Sequence, residues 1–299
     1  MSRRPALGRG GPLRAVAARL LAAAVLGAGC TPQAPEPAPP AVLRFSAVPD
    51  QAPDNVRAQH EGVVREACAA AGLRCELLPS PSYEAVVDRL GRGEIDVAYL
   101  GGVTYAQARL RHGVEPLVMR DVDLRFTTVV VVRADDPARE LSDLKGRRFT
   151  YGNRTSTSGH VMARRRLADA GFVPERDAAA VAYSAGHDET LRRVAAGEAD
   201  AGAVNATVFV RAQGRGDPAA RMLRALWQSA PYVDYVWAAR RGLPPALRAR
   251  LRDGFLDLSL GQPSQREALE RAAALGYLPA FHSDFEEVIE ALAAPGVAP

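Results

Sequence analysis

The chain has 299 residues, enough for two domains, and its 47% hydrophobic and 24% charged residues are ordinary for a globular protein. The net charge of +4 is misleading, because the first 29 residues contain five of the 38 basic side chains and no acidic one, which leaves 33 basic against 34 acidic side chains in the remainder. A nearly neutral body without a basic aromatic stripe argues against nucleic acid as a partner.

Residues 1–29 are interpreted as an export signal, because arginines precede an apolar stretch that is too short and too polar at its start to favour a membrane-spanning helix. The segment ends in Leu-Gly-Ala-Gly-Cys, which resembles a bacterial lipoprotein signal whose cysteine, here Cys30, is acylated and becomes the mature N-terminus. An ordinary secretory signal cleaved nearby is the alternative. We expect a periplasmic or cell-envelope protein that Cys30 anchors to the membrane surface.

Residues 30–40 are predicted to form an extended tether, because the five prolines among residues 31–40 cannot pack or pair regularly. The other two cysteines are Cys68 and Cys75. An exported protein can form a disulfide between them, and two buried thiols are the alternative. A helix end that turns into a strand would bring the two residues together.

From residue 41 onward, short apolar runs alternate with amphipathic segments. The expected strands are 42–48, 75–78, 97–100, 149–152, 181–183 and 201–204, and the expected helices between them include 83–90, 159–170 and 188–196. This βαβ order predicts an α/β fold with mostly parallel sheets that helices cover. Three C-terminal helices, at 244–258, 264–274 and 284–293, are expected to pack back on the first unit.

An internal repeat suggests that one lobe was duplicated. Residues 83–96 and 187–200 both read as a helix followed by Gly-Glu-x-Asp and an apolar strand, at an offset of 104 residues. The same offset aligns Phe45 with Phe149, each in the opening strand of its unit. We therefore predict two similar α/β lobes with a ligand cleft between them.

The predicted lobe boundaries follow from two β-rich runs, 126–132 and 235–239, which are expected to be antiparallel strands of a two-strand hinge. Lobe one is predicted to comprise 41–131 together with 236–299. Lobe two is predicted to comprise 132–235.

The cleft site is expected at the carboxyl ends of the strands, beside helix starts. Ser156, Thr157 and Ser158 follow a predicted strand, and Gly159 permits a close approach to the backbone, so these hydroxyls and the free N–H groups of a helix start are typical of an anion site. A plain helix cap is the alternative.

Three further residues are candidates for the same anion site. Tyr83 and His187 occupy equivalent positions in the repeat, and His187 is a candidate donor to an oxyanion. Asp234 lies at the return crossing, where it either accepts a proton from a ligand or is a strand-edge acid without a ligand role.

An enzyme is not expected. Ser158, His187 and Asp234 could in principle form a triad, but no Gly-x-Ser-x-Gly turn occurs. The five histidines are scattered, and neither His-x-x-x-His nor Cys-x-x-Cys is present, so neither a metal nor another cofactor is predicted.

Four motifs carry a resemblance to a known family, and they lie at 96–101, 156–159, 185–187 and 231–234. At these motifs the sequence resembles the phosphonate- and phosphite-binding periplasmic proteins, which are type II solute-binding proteins of ABC importers. The resemblance extends from about residue 43 to about residue 258. Residues 45–50, 101–110 and 183–188 also resemble a subgroup named as selenate transporter binding proteins.

The resemblance implies a two-lobed type II periplasmic binding protein, expected to be a monomer. Such a protein captures a small tetrahedral oxyanion, such as phosphonate, phosphite, phosphate or selenate, and passes it to an ABC permease in the inner membrane. It also implies that Tyr83 closes on the oxyanion from lobe one and that Asp234 lies near it. The predicted ligand-binding set is Tyr83, Ser156, Thr157, Ser158, Gly159, His187, Asn205 and Asp234.

The sequence departs from the aminoalkylphosphonate binders of this family at two positions. Leu100 replaces an aromatic residue of the site, and Thr207 stands roughly where those proteins have an acid for the ligand ammonium group. These departures favour a bare oxyanion. Two alternatives use the same scaffold: a binder of another small molecule, such as an amino acid, or a lipoprotein that senses a ligand and signals to a membrane receptor.

Overall fold

The structure is a computed structural model, and it describes residues 42–293. The predicted signal, the tether and Cys30 lie outside the described residues. Between residues 42 and 293, no helix combines the length and the apolar character that crossing a membrane requires.

Strands and helices alternate along the chain. The strands are β1 (Leu43–Ala47), β2 (Cys75–Leu77), β3 (Val97–Leu100), β4 (Glu115–Arg120), β5 (Thr128–Arg133), β6 (Arg148–Tyr151), β7 (Ala180–Tyr183), β8 (Ala201–Asn205), β9 (Leu223–Gln228), β10 (Val236–Ala239) and β11 (Tyr277–Pro279). The helices are α1 (Pro53–Ala70), α2 (Tyr83–Gly91), α3 (Gly102–His112), α4 (Met162–Asp169), α5 (Pro174–Asp177), α6 (His187–Ala195), α7 (Ala206–Gly214), α8 (Pro218–Arg221), α9 (Pro245–Leu256), α10 (Pro263–Arg271) and α11 (Glu286–Ala293). A π-helical turn, Thr157–Val161, precedes α4.

The strands form two sheets, one in each lobe. The first has the order β11-β4-β10-β3-β1-β2 and the second has the order β7-β6-β8-β5-β9. In each sheet the βαβ strands are parallel to one another. β10 runs antiparallel to β3 and β4, and β5 runs antiparallel to β8 and β9. The predicted α/β architecture is therefore present. Both sheets are mixed because β5 and β10, which follow the two crossings between the lobes, enter their sheets in the opposite direction.

The strand registers of the two lobes match the predicted repeat. Phe45 pairs with Leu77 and Val97 in the first sheet. Phe149 pairs, at the same offset of 104 residues, with residues 181 and 201 in the second sheet. The repeat seen in the sequence is therefore a repeat of strand pairing.

One ion pair is also duplicated. In the first lobe, Asp96 accepts hydrogen bonds from the backbone and the guanidinium of Arg44. In the second lobe, Asp200 accepts the equivalent bonds from Arg148. In both lobes the carboxylate after the Gly-Glu-x-Asp corner therefore anchors the opening strand.

The chain crosses between the sheets twice, and the crossings meet at Phe126 and Tyr232, which form an isolated antiparallel bridge. β5 pairs with β8 and β9, so the first crossing lies before Thr128 and not after Val131, where the sequence placed it. β10 lies between β3 and β4 in the other sheet. The two β-rich runs thus flank the hinge and do not pair with each other, because each completes the sheet of its own lobe.

The core of lobe one covers both faces of its sheet. Phe45, Trp237 and Phe255 are fully buried there. α9 and α10 pack on α1, and α11 packs on α3, so the C-terminal helices return to lobe one as predicted. A disulfide joins Cys68 at the end of α1 to Cys75 at the start of β2.

Candidate functional site

The candidate site is formed where strands of both lobes end and helices begin. In lobe two, β6 leads into the π-helical turn and β7 leads into α6. In lobe one, β3 leads into α3, and α2 starts nearby at Tyr83. The first N–H groups of a helix have no partner within it, so such ends bind anions and hydrogen-bond acceptors.

The residues that follow β6 form a tight polar turn. The Ser156 hydroxyl accepts a hydrogen bond of 3.0 Å from the N–H of Gly159. A Cβ atom at Gly159 would lie 3.0 Å from the Cα of Gly152 and 3.2 Å from Cε1 of His187, so any larger residue would require these neighbours to move by a few tenths of an ångström. Ser158 is fully buried, and its hydroxyl has no hydrogen-bond partner among the described residues.

His187 is the first residue of α6 and is fully buried. Its Nδ1 faces the backbone N–H of Asn205 at 3.4 Å, and this contact assigns the ring proton to Nε2. Burial lowers the pKa of His187 to about 4, so the ring is neutral at neutral pH. Its Nε2 has no partner within residues 42–293 and can donate to a ligand. A hydrolytic triad would instead need Nδ1–H to donate to a carboxylate.

Tyr83 contributes from lobe one. It is buried, and its hydroxyl makes no well-formed hydrogen bond within residues 42–293, although the Ser156 side chain lies close enough to lower its pKa. Burial raises the pKa of Tyr83 well above its ordinary value, and the carboxylates of Asp50 and Asp234 raise it further. The hydroxyl therefore stays protonated and can donate.

Asp234 lies in the second crossing, between the lobes. Its Oδ1 accepts a hydrogen bond of 2.9 Å from the Gly102 N–H at the start of α3, whereas no described residue pairs with its Oδ2. Burial raises the pKa of Asp234 to about 7, although the Gly102 N–H and the Thr157 hydroxyl lower it. Asp234 can therefore accept a proton from a ligand oxygen or donate one to it near neutral pH.

Four residues of the predicted set thus each present an unpaired, buried polar atom. These atoms are Tyr83 Oη, Ser158 Oγ, His187 Nε2 and Asp234 Oδ2. Asp234 is close enough to Tyr83 to raise its pKa, and the Thr157 hydroxyl is close enough to Asp234 to lower its pKa. Gly159 adjoins His187. Buried polar groups are almost always hydrogen-bonded, so this convergence indicates a site for a polar ligand.

Thr157 and Asn205 belong to the predicted set but use their side chains in protein contacts. The Thr157 hydroxyl accepts a hydrogen bond of 3.0 Å from the Val103 N–H of lobe one. Asn205 caps α7 by accepting from the Val208 N–H, and its Nδ2 lies 3.4 Å from the Tyr235 hydroxyl. Direct contact of these two side chains with a ligand stays a prediction.

Asp50 and Tyr235 adjoin the candidate site, and the sequence analysis did not single them out. Tyr235 donates a hydrogen bond of 2.8 Å to the Asp50 carboxylate, and its ring stacks on Tyr99 at 4.9 Å between centroids. Burial raises the pKa of Asp50 to about 6, although the bond from Tyr235 lowers it. The available signal was position, because Asp50 closely follows the first strand and Tyr235 directly follows Asp234.

Arg120 supplies a buried positive charge behind the site. Its guanidinium lies 5.7 Å from the ring centre of Tyr235 and pairs with Asp123 at 2.6 Å. Arg120 also lowers the pKa values of Asp50 and Asp234. Its field therefore reaches both acids of the site.

Comparisons with known proteins address the family and the fold of this chain. A family model described as the phosphonate periplasmic substrate-binding protein of ABC transporters matches residues 45–285. The chain is similar to the probable ABC transporter phosphite binding protein PhnD1 of Prochlorococcus marinus (strain MIT 9301), with 27% identity over 263 residues that cover 84% of this chain and 89% of the relative. It is also similar to the phosphate-import protein PhnD of Mycolicibacterium smegmatis, with 24% identity over 229 residues that cover 72% of this chain and 71% of the relative.

A solved structure shows the same fold. PhnD1 from Prochlorococcus marinus in complex with methylphosphonate matches with a TM-score of 0.78 and 27% identity, covering 84% of this chain and 97% of that protein. The predicted two-lobed architecture of periplasmic binding proteins is therefore confirmed.

Proposed function

Because the chain belongs to the family of ABC transporter phosphonate periplasmic substrate-binding proteins, we propose that it captures a small protonated oxyanion of phosphorus, such as phosphite or methylphosphonate, between its lobes. Members of this family are substrate-binding transport components and not enzymes, as the sequence predicted. The permease of an ABC importer is the partner that the family implies. The observation that carries the proposal is the set of four unpaired buried atoms of Tyr83, Ser158, His187 and Asp234.

The donors of the set suit a tetrahedral oxyanion. The hydroxyls of Tyr83 and Ser158 and the Nε2–H of His187 can each donate to one ligand oxygen. Hydrogen bonds to a charged group contribute about 1.5–3 kcal/mol each. Three or four such bonds support micromolar binding, about −8 kcal/mol, after the costs of association.

Asp234 supports the choice of phosphorus oxyanions. A complex needs one proton between its Oδ2 and the nearest ligand oxygen, since two bare anionic oxygens would repel each other. Phosphite, phosphate and a phosphonate can carry that proton themselves. Sulfate and selenate are fully ionised at neutral pH, so Asp234 must hold the proton, which becomes harder as the pH rises above its pKa of about 7.

The names of the relatives support the same ligand class. One relative is named for binding phosphite and another for phosphate import, and a similar solved structure contains methylphosphonate. Selenate, which the subgroup resemblance suggests, is the competing ligand.

Attachment to the cell envelope is the second part of the proposal. A lipid on Cys30 and the proline-rich tether of residues 30–40 would hold the binding lobes close to the permease. An exported location agrees with the disulfide between Cys68 and Cys75, because exported proteins keep such bonds.

Isothermal titration calorimetry with phosphite, methylphosphonate, phosphate, sulfate and selenate at pH 8 tests the proposed ligand class. We expect phosphite or methylphosphonate to bind at least tenfold more tightly than sulfate and selenate, a difference of about 1.4 kcal/mol. Ser158→Ala should weaken that binding at least tenfold, because it removes one donor to a charged oxygen.

The matched control is Ser142→Ala, an exposed serine of lobe two, which should leave binding unchanged. Tighter binding of selenate than of any phosphorus oxyanion would overturn the ligand class. Equal affinity of wild type and Ser158→Ala would show that the Ser158 hydroxyl, in the turn after β6, does not bind the ligand.

A further inference from the structure

The helices α1 and α3 of lobe one begin without a capping side chain of their own. α1 begins after Ala52 and α3 begins after Gly101, and neither helix has a cap hydrogen bond from the residue at its start. α2, by contrast, is capped by Ser82, whose hydroxyl accepts from the Ala85 N–H at 3.1 Å. A helix start that lacks a cap loses stability, so the partners of α1 and α3 must come from elsewhere.

The cap of α1 comes from lobe two. Oδ2 of Asp188, in the first turn of α6, accepts a hydrogen bond of 2.7 Å from the Ala52 N–H. The same oxygen lies 3.2 Å from Nδ2 of Asn55 in the first turn of α1. A carboxylate at the start of α1 is also favoured by the helix dipole.

The exchange is reciprocal. The N–H of His187, at the start of α6, donates to the Asp50 carbonyl of lobe one at 2.8 Å. A Cβ atom at Gly186 would lie 2.9 Å from that carbonyl oxygen, so glycine is what allows the two loops to meet. We call these contacts, made by Asp50, Ala52, Asn55, His187 and Asp188, the cross-lobe cap.

We propose that Asp188 is a positioning residue that sets how long the cleft stays closed over its ligand. This inference rests on the proposed function. Asp188 does not provide one of the unpaired atoms of the site; instead, its carboxylate joins the two lobes directly beside the ligand donor His187. Opening the cleft breaks the cross-lobe cap and leaves the start of α1 without the Asp188 side chain as a partner, so the cap opposes opening of the closed cleft.

The test separates association from dissociation, with phosphite as the probe. Stopped-flow measurement on the purified protein should show that Asp188→Ala raises the dissociation rate about tenfold, the equivalent of about 1.4 kcal/mol, with little change in the association rate. Asp188→Asn should fall between wild type and Asp188→Ala, because its amide oxygen still accepts from the Ala52 N–H but carries no charge. The melting temperature of the ligand-free protein should change little.

Glu189→Gln is the matched control. Glu189 is the next acid of α6, but its carboxylate accepts from the Ala185 N–H and from Arg193, both within lobe two. Neutralising Glu189 should therefore leave the dissociation rate unchanged. Equal acceleration by Glu189→Gln and Asp188→Ala would show a general charge effect and overturn the cross-lobe cap.

Gly186→Ala tests the cap by sterics alone. Its added methyl group would press on the Asp50 carbonyl, so it should also accelerate phosphite release. Unchanged release in both Asp188→Ala and Gly186→Ala would overturn the role of the cross-lobe cap, even with phosphite bound tightly.

A measurement that needs no ligand separates this inference from the proposed function. Spin labels on the outer surfaces of the lobes report the lobe separation in the ligand-free protein, and Asp188→Ala should lose short distances that wild type shows. Failure of wild type to bind phosphite would overturn the proposed ligand. The distances between the spin labels in the ligand-free protein would then be the test of the cross-lobe cap. Identical distance distributions in wild type and Asp188→Ala would overturn the cap.

Discussion

Tyr235 donates a hydrogen bond of 2.8 Å to the carboxylate of Asp50, and this bond joins the second hinge crossing to the loop after β1. Both residues are buried, and burial raises the pKa of Asp50 to about 6. Together with a hydrogen bond from the Gln51 side chain, this bond therefore stabilises a carboxylate whose burial is costly.

Tyr235→Phe should lower the free energy of unfolding by about 1–3 kcal/mol at pH 8, because it removes the hydrogen bond of Tyr235 to an ionised, buried Asp50. The loss should be smaller at pH 5, where Asp50 is protonated. Urea unfolding at the two pH values measures both effects. Tyr151→Phe is the control, since the buried Tyr151 hydroxyl has no partner among residues 42–293, and an equal loss in both variants at pH 8 would contradict the prediction.

Asp234→Asn should relax the choice of ligand toward sulfate and selenate. The asparagine Nδ2 can donate to a fully ionised oxygen at every pH, whereas Asp234 must first take up a proton. At pH 8 we expect the ratio of sulfate to phosphite dissociation constants to fall by up to about tenfold, since protonating Asp234 one pH unit above its pKa of about 7 costs about 1.4 kcal/mol.

Calorimetry with both ligands measures this ratio. Asp217→Asn is the control, because Asp217 caps α8 and lies away from the cleft. Wild type that prefers selenate to phosphite, with no change in Asp234→Asn, would refute selection by Asp234 while leaving the fold and the transport role intact.

The free energy of unfolding should depend on pH through Asp234, Asp50 and His187. Burial raises the pKa of Asp234 from 3.8 to about 7 and that of Asp50 from 3.8 to about 6. From about pH 4 to 7 the folded protein therefore keeps protons that the unfolded chain has lost, so these groups make the free energy of unfolding fall as the pH rises. His187 acts in the opposite direction between about pH 4 and 6.5, because its pKa is lowered.

Asp234→Asn isolates one contribution. Relative to wild type, this variant should gain stability between about pH 4 and 7, where Asp234 is ionised in the unfolded chain but still protonated in the folded protein, and the difference should level off above about pH 7. Unfolding in urea at several pH values gives this difference, and a difference that stays constant over the range would show that Asp234 does not titrate there.

Cys30→Ser should release the protein from the membrane fraction into the soluble periplasmic fraction. The expectation follows from the small-residue run before Cys30 and the proline-rich segment after it. Fractionation and immunoblotting measure the distribution, with Thr31→Ala as the control that should stay with the membrane. Retention of the Cys30→Ser protein in the membrane fraction would count against a lipid anchor.

Much of the fold was predictable because the repeat leaves local marks. Apolar runs and helical faces located the six βαβ strands to within about two residues, and the offset of 104 residues placed Phe45 and Phe149 in equivalent registers. β4, β9 and β11 carry no comparable mark and were missed. The hinge was misplaced because a β-branched run such as 126–132 favours a strand but does not choose which sheet that strand joins.

Some residues of the candidate site could be identified from the sequence, and others could not. Ser158 and His187 were predictable, because a polar turn after a strand and a side chain at a repeated helix start are both local features of the chain. Asp50 and Asp188 were not identified as contacts between the lobes, because nothing in their own segments indicates which residue faces them.

The sequence by itself therefore indicated which residues of this protein have the chemistry of an anion site, since side-chain chemistry and the start of a helix are set locally. Only the tertiary structure decided which of them keep a free atom. Packing the two lobes together uses the Thr157 hydroxyl on Val103 and the Asp188 carboxylate on Ala52, and it leaves Ser158 and His187 unpaired. The physical reason is that hydrogen bonds between the lobes join residues more than 50 positions apart, and such pairings arise only when the chain has folded.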